Sequence, residues 1–317
     1  MKNNRIFSKL IGAITLCICA NSASYANELT FVAFGDQPYG PISSLETLIQ
    51  KINEDKASAF SIHVGDIKAG SSRCDTEYFI KIKEIFNHAE QPLIYTPGDN
   101  EWTDCHRGNN GGYVPTERLN ALREIFFNDN NSLGKNKLPL ELQSRVQPPY
   151  SSYVENRRWS KNGILFITIN QPGSNNNLDA NVPGAIAEYT ARNKANIAWL
   201  KNSFEFGKQS EAIVIAMQSD TNIVIDEAYG FSDFLKTVSS LSKKFKRPIL
   251  VIQGDSHEYL VDQALLDEKD RPLPNVLRLV VPGAKKIEAV EVFVDTNQKD
   301  LLKVFTFKKI STSNQAK

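Results

Sequence analysis

Along residues 29–96, short apolar runs alternate with segments whose apolar residues recur every three or four positions. Leu29–Phe34, Ala59–Val64 and Pro92–Thr96 are rich in β-branched and aromatic residues, which predicts buried strands. Between them, Ile42, Leu45, Leu48, Ile49 and Ile52 keep helical spacing, as do Phe79, Ile82, Ile85 and Phe86. A third helix is predicted after Pro115-Thr116, with Leu119, Leu122, Ile125 and Phe126 on one face and Thr116 as its cap. Residues 128–150, rich in Asn, Pro, Lys and Gln, read as a long excursion. Strands at Ile164–Ile169, Ala212–Met217 and Ile249–Ile252 then alternate with helices at Ala185–Phe204 and Phe231–Phe245. The end changes character: Val276–Val281, Val290–Val294 and Val304–Phe307 are strands with little helix between them. This order predicts an α/β protein with two packed sheets flanked by helices. No repeat or internal boundary interrupts 27–310, so one domain is expected there, with 311–317 a frayed polar tail.

Composition adds what the pattern leaves open. With 41% hydrophobic and 23% charged residues in 317, a packed globular core is expected and disorder is excluded. Residues 1–26 carry Lys2, Arg5 and Lys9, an apolar run over 10–20 and the small-residue site Ser24-Tyr25-Ala26. That is the layout of a secretory signal peptide cleaved after Ala26, so export to the periplasm or medium is expected, with no membrane anchor left behind. Bulky Leu16 and Ile18 before Cys17 and Cys19 argue against a lipoprotein. The rest of the chain has 34 basic and 36 acidic residues, which speaks against a broad nucleic-acid-binding surface. Cys74 and Cys105 are the two cysteines left after cleavage. In an oxidising compartment they are expected to form a disulfide; two separate thiols are the alternative.

The candidate chemistry lies in Gly-Asp pairs. With 17 Gly and 17 Asp, chance gives about one such dipeptide; the chain has four, at Asp36, Asp66, Asp99 and Asp255. Each ends a predicted apolar strand, and ligands of open α/β sheets bind outside the carboxyl ends of strands. Carboxylates gathered there repel one another unless a cation sits among them, and hard oxygen ligands suit divalent metals. A bare turn or cap role is the competing explanation for any single pair.

The motif order resembles the calcineurin-like metallophosphoesterase superfamily across nearly the whole mature chain. The stretches are Phe34-Gly-Asp-Gln-Pro-Tyr39, His63-Val-Gly-Asp-Ile67, Pro97-Gly-Asp-Asn-Glu-Trp102, Ala216-Met-Gln-Ser-Asp220 and Gln253-Gly-Asp-Ser-His257. The resemblance implies a four-layer αββα sandwich of two mixed sheets and a metal-dependent phosphoester hydrolase. It also implies two divalent ions held by Asp36, Asp66, Asp99, Gln218, Asp255 and His257, with Asp66 bridging. Several positions depart from the family: Pro38 stands for a ligand His, Asp99 for Asn, Asn100 for the catalytic His, Gln218 for a lone His and Asp255 for the first His of Gly-His-x-His. Ala69 occupies a position where one subset, related to purple acid phosphatases, has a ligand Tyr, and Tyr39 is a candidate substitute. Such an oxygen-dominated set favours Mn, Fe, Mg or Ca over Zn. The implied reaction is in-line attack on a phosphoester by a metal-bound hydroxide near Asp66.

Asn100 can donate a hydrogen bond but not a proton, so His106 is the candidate to act beside it if its loop folds back, and Arg107 the candidate phosphate clamp. A Cys74–Cys105 bridge would hold that loop against the one after Asp66. Lys68 is a candidate electrostatic substitute for a metal, and Asp220 and Glu101 are candidate groups orienting ligands. His63 reads as a packed strand histidine, and Asn175-Asn176-Asn177 as loop. The alternative reading, resting on Pro38, Asn100, Gln218 and Asp255, is a relative that keeps the fold to bind a partner and has lost catalysis.

Overall fold

The computed structural model describes residues 28–221 and 229–312. The expected signal segment and residues 313–317 lie outside them. Strands β1 (Glu28–Phe34), β2 (Ser61–His63) and β3 (Leu93–Tyr95) are parallel neighbours, and β11 (Glu288–Asp295) and β12 (Phe305–Ser311) extend that sheet antiparallel beyond β1. The second sheet runs β4 (Glu141–Leu142), β5 (Arg157–Lys161), β6 (Ile164–Thr168), β7 (Ala212–Ala216), β8 (Ile249–Gln253), β10 (Val276–Val280), β9 (Leu260–Asp262). Its centre, β6-β7-β8-β10, is parallel and its edges are antiparallel. Both sheets are therefore mixed, as expected.

Alternation along each strand builds the layers. In β1, Phe31 and Ala33 face the second sheet, while Val32 and Phe34 face α1 (Ser43–Glu54), α2 (Thr76–Phe86) and α3 (Pro115–Phe126). In β6, Phe166 points between the sheets and Leu165 and Ile167 point to the far side. There they pack with Trp199, Leu200 and Phe204 of α6 (Ala185–Phe206) and Phe234 and Val238 of α7 (Ser232–Phe245). Two short elements, α4 (Gln143–Val146) and α5 (Gly173–Asn176), complete the set. The arrangement is the four-layer αββα sandwich. Phe166 anchors the inter-sheet core, stacked on Trp159 at 5.2 Å and edge-on to Phe31 and Phe60 at 5.3 and 4.9 Å.

Three local expectations change. Thr116 does not cap α3: Pro115 is its first residue, where a missing N–H costs nothing, and Val114 precedes it. Strand β5 is unforeseen because it begins Arg157-Arg158, yet both are buried; Arg157 donates to the Asp129 and Asn131 carbonyls, and Arg158 pairs with Glu141 and Asn202. It joins β6 through Asn162-Gly163, both at positive φ, the hairpin chemistry that suits a right-handed twist. β12 also reaches Ser311, one residue into the expected tail.

The Cys74–Cys105 disulfide is present, with Cα atoms 5.9 Å apart. It ties the loop after β2 to the turn after β3. Because it closes a 31-residue interval, replacing both cysteines by serine is expected to cost about 3 kcal/mol, read as a lower urea midpoint. Phe166→Ala is expected to cost about 3–5 kcal/mol in the same measurement, with the cavity left between two rigid sheets.

Candidate metal centre

The parallel strands of both sheets end on one side of the sandwich. β1 delivers Asp36, β2 Asp66 and β3 Asp99; β7 delivers Gln218, and β8 delivers Asp255 and His257. Asp36, Asp66, Asp255 and His257 all have positive φ, a conformation that non-glycine residues adopt sparingly and that Asp and His tolerate best. The chain turns at once after each strand, so these side chains stay at the sheet edge. Gly65 and Gly98 let the loops after β2 and β3 touch: a Cβ on Gly65 would lie 2.6 Å from the Gly98 nitrogen.

Asp36, Asp66 and His257 form the centre of the cluster. One donor atom from each lies within 4.8 Å of the others. Nε2 of His257 is 3.6 Å from Asp36 Oδ1 and, although buried, has no hydrogen-bond partner. The backbone N–H of Asp255 holds Asp36, at 3.1 and 3.2 Å from its two oxygens. Asp66 Oδ2 accepts from the Tyr39 hydroxyl at 2.5 Å and from Asn100 Nδ2 at 2.6 Å, while Oδ1 accepts the Asn100 N–H at 3.2 Å. Glu101 Oε1 accepts from the N–H groups of Asp66 (3.1 Å) and Gly98 (2.7 Å) and from the Tyr95 hydroxyl (2.7 Å), clamping the ends of β2 and β3 together.

Electrostatics make this arrangement costly without a counter-charge. Burial, then the charges of Asp255 and Asp99, hold the Asp36 carboxyl well above its ordinary range. Burial and Asp99 act likewise on Asp66. Asp255 is pushed up to about 8 by burial and Asp99, and Asp104 up to about 6 by the same two causes. Burial lowers the His257 pKa, favouring the neutral ring. Buried Lys68 does not fill the centre: its Nζ donates to the Ala69 carbonyl at 3.0 Å. Two carboxylates and one unpaired imidazole nitrogen converging on one point match the donors of a divalent cation, so the residues present fit a metal.

The other expected residues are placed unevenly. Gln218 Nε2 donates to Asp99 Oδ1 at 3.2 Å, beside the Asp36–Asp66–His257 group. Asn100 faces Asp66 as its hydrogen-bond donor. His106 is exposed and turns Nδ1 onto the Thr103 carbonyl at 2.7 Å, so its loop does not fold back onto the cluster. Arg107 lies at the rim, paired with Asp104 at 2.6 Å and 3.5 Å from Ser174 Oγ. Asp220 approaches Asp255 through its backbone N–H, 3.3 Å from Oδ2, while its carboxylate takes the buried Arg278 at 2.6 Å. Sequence reasoning missed Gly173 and Ser174. Ser174 Oγ is 2.7 Å from Asp99 Oδ2 and 2.8 Å from Asp104 Oδ1. Their one sequence signal is the following Asn run, a residue type suited to the left-handed backbone that Ser174 through Asn177 adopt.

No family model and no curated protein matches the chain. Among solved structures it is similar to a dimetal phosphatase from Danio rerio, 10% identical over 90% of this chain and 99% of that one, with a TM-score of 0.53. GAP50, the anchor in the inner membrane complex of Plasmodium, is 13% identical over 91% and 90%, with a TM-score of 0.48. A purple acid phosphatase from yellow lupin seeds is 12% identical over 90% and 54%, at 0.43. The architecture is the metallophosphoesterase-like fold; identities this low show a shared fold and nothing finer.

His63, next to these loops, gives a pH test. Its Nδ1 accepts the Gly65 N–H at 3.1 Å, which leaves the proton on Nε2, 3.2 Å from the Gln37 carbonyl. Burial pushes this imidazole down from 6.5 to about 3. The unfolded chain therefore binds the extra proton first, and this contribution to stability is lost as pH falls from about 6.5 toward about 3. Between pH 7 and 4.5, urea unfolding of the wild type should lose about 2–3 kcal/mol more than that of His63→Gln. Equal losses would remove the histidine from the acid response.

Proposed function

We propose that the chain is an exported hydrolase of phosphoesters that depends on a divalent metal. The observation that carries this reading is the unpaired His257 Nε2 aimed at Asp36 and Asp66. A bound ion there supplies Lewis-acid polarisation of a phosphoryl oxygen and lowers the pKa of water. The chain's own residues prepare the site. Tyr39 and Asn100 fix the Asp66 carboxylate, and Glu101 holds the strand ends that carry Asp66 and Asp99. The His257 side chain, 34% exposed, marks the open side from which substrate would enter. Arg107, half-exposed at the rim, is placed to receive anionic oxygens by its planar fork of donors. The oxygen-rich donor set favours Mn, Fe, Mg or Ca over Zn. Export is supported by the signal-like residues 1–26 and by the disulfide.

A second reading, a metal-binding scaffold without turnover, is favoured by one observation: Asn100, where the family resemblance expects histidine, is spent on Asp66 and Tyr39, and His106 faces away. Hydrolysis of p-nitrophenyl phosphate and bis-p-nitrophenyl phosphate with each metal separates the two. Under the hydrolase reading, Asp66→Ala lowers kcat/KM by at least about 100-fold. Metal binding with no turnover of either ester selects the scaffold.

A further inference from the structure

We infer that the centre holds one divalent ion, at Asp36, Asp66 and His257, and that the chain itself closes the neighbouring position bounded by Asp99, Gln218 and Asp255. This rests on the metal reading above and departs from the paired ions that the sequence resemblance implies. Among the described residues, Asp36, Asp66 and His257 are the one group of three His, Cys, Asp or Glu side chains whose donor atoms lie within 4.8 Å of one another. On the Asp99 side, the atoms that would face a second ion are already engaged. Gln218 Oε1 accepts the Gly173 N–H, and Gln218 turns its amide Nε2, a donor with no lone pair for a metal, toward Asp99 Oδ1. Asp99 Oδ2 accepts from Ser174, and Asp255 Oδ2 faces the Asp220 N–H.

The backbone at Gly173 lies against the two carboxylates: a Cβ there would stand 2.8 Å from Asp99 Oδ2 and 2.8 Å from both oxygens of Asp255. This turn is anchored from behind. Arg192, fully buried against Trp102, donates to the Asn176 side chain at 2.5 Å and to its carbonyl at 2.9 Å. Asn176 Nδ2 donates to the Gly230 carbonyl at 2.8 Å, and Gly230 N–H returns a bond to Asn175 Oδ1 at 2.7 Å. Moving α5 out of the second position would break this buried set together.

The test is metal stoichiometry on the purified mature protein, stripped by chelator and titrated with Mn(II). Calorimetry gives the ion count, elemental analysis checks it, and EPR at saturation reports whether the ions couple. The expected result is about one ion per chain and an uncoupled six-line Mn(II) spectrum. Binding should be lost in Asp36→Ala and His257→Ala and kept in Gln218→Ala and Asp99→Asn. Two ions per chain, or an exchange-coupled spectrum, overturns the inference and leaves the hydrolase reading standing. One ion that survives His257→Ala but not Asp99→Asn also overturns it. No bound ion overturns both. Circular dichroism confirms that each variant is folded, and the wild-type count and spectrum decide the question even if a variant is not.

Discussion

The repulsion among carboxylates buried at one edge of two sheets is the constraint on which this structure depends. In a low-dielectric edge each charge raises the free energy of the others, and among the described residues no lysine or arginine is paired directly with Asp36, Asp66 or Asp99. Such a cluster is stable only if protons or a cation neutralise it, or if hydrogen-bond donors are directed at every oxygen. The chain directs donors at Asp36, Asp66 and Asp99. At Asp36 it also leaves one face to the unpaired nitrogen of His257, which cannot neutralise a carboxylate while uncharged.

The supporting shell follows from the same constraint. Donors must be held rigidly, since a mobile donor beside a buried charge loses much of its stabilising effect. Glu101 gathers two backbone N–H groups and a tyrosine hydroxyl onto one oxygen, which fixes the spacing of β2 and β3 where Asp66 and Asp99 leave them. The Cys74–Cys105 bridge ties the loops that follow the same two strands. Arg192 does the corresponding work across the cleft by pinning the left-handed turn that carries Gly173 and Ser174. Covalent, ionic and hydrogen-bond restraints thus converge on loops that would otherwise be the most mobile parts of the fold.

Fold and chemistry are linked by strand direction. The first sheet supplies Asp36, Asp66 and Asp99 from three consecutive parallel strands, and the second supplies Gln218, Asp255 and His257 from two. Face-to-face packing through Phe31, Phe60, Trp159 and Phe166 sets the distance between those edges. Loss of that core would therefore change the donor spacing as well as the stability.

Much of this was legible in the amino-acid order because it is local. Apolar periodicity marked the principal strands and the long helices, and Gly-Asp after a strand is turn chemistry written in two adjacent residues. Signals that depend on a distant partner were not legible. Arg157 and Arg158 look like surface residues until Asp129, Asn131, Glu141 and Asn202 are placed around them. Thr116 looks like a cap until Pro115 is seen to start the helix. By itself the sequence determined the two-sheet α/β plan and the side chains available at its edge. Tertiary structure decided which of them meet: His257 turns Nε2 toward Asp36, beside Asp66, His106 turns away, and an asparagine-rich loop comes to lie against Asp99 and Asp255. Backbone preferences act over a few residues, whereas a ligand set is fixed by contacts between segments up to about 220 positions apart, such as Asp36 and Asp255.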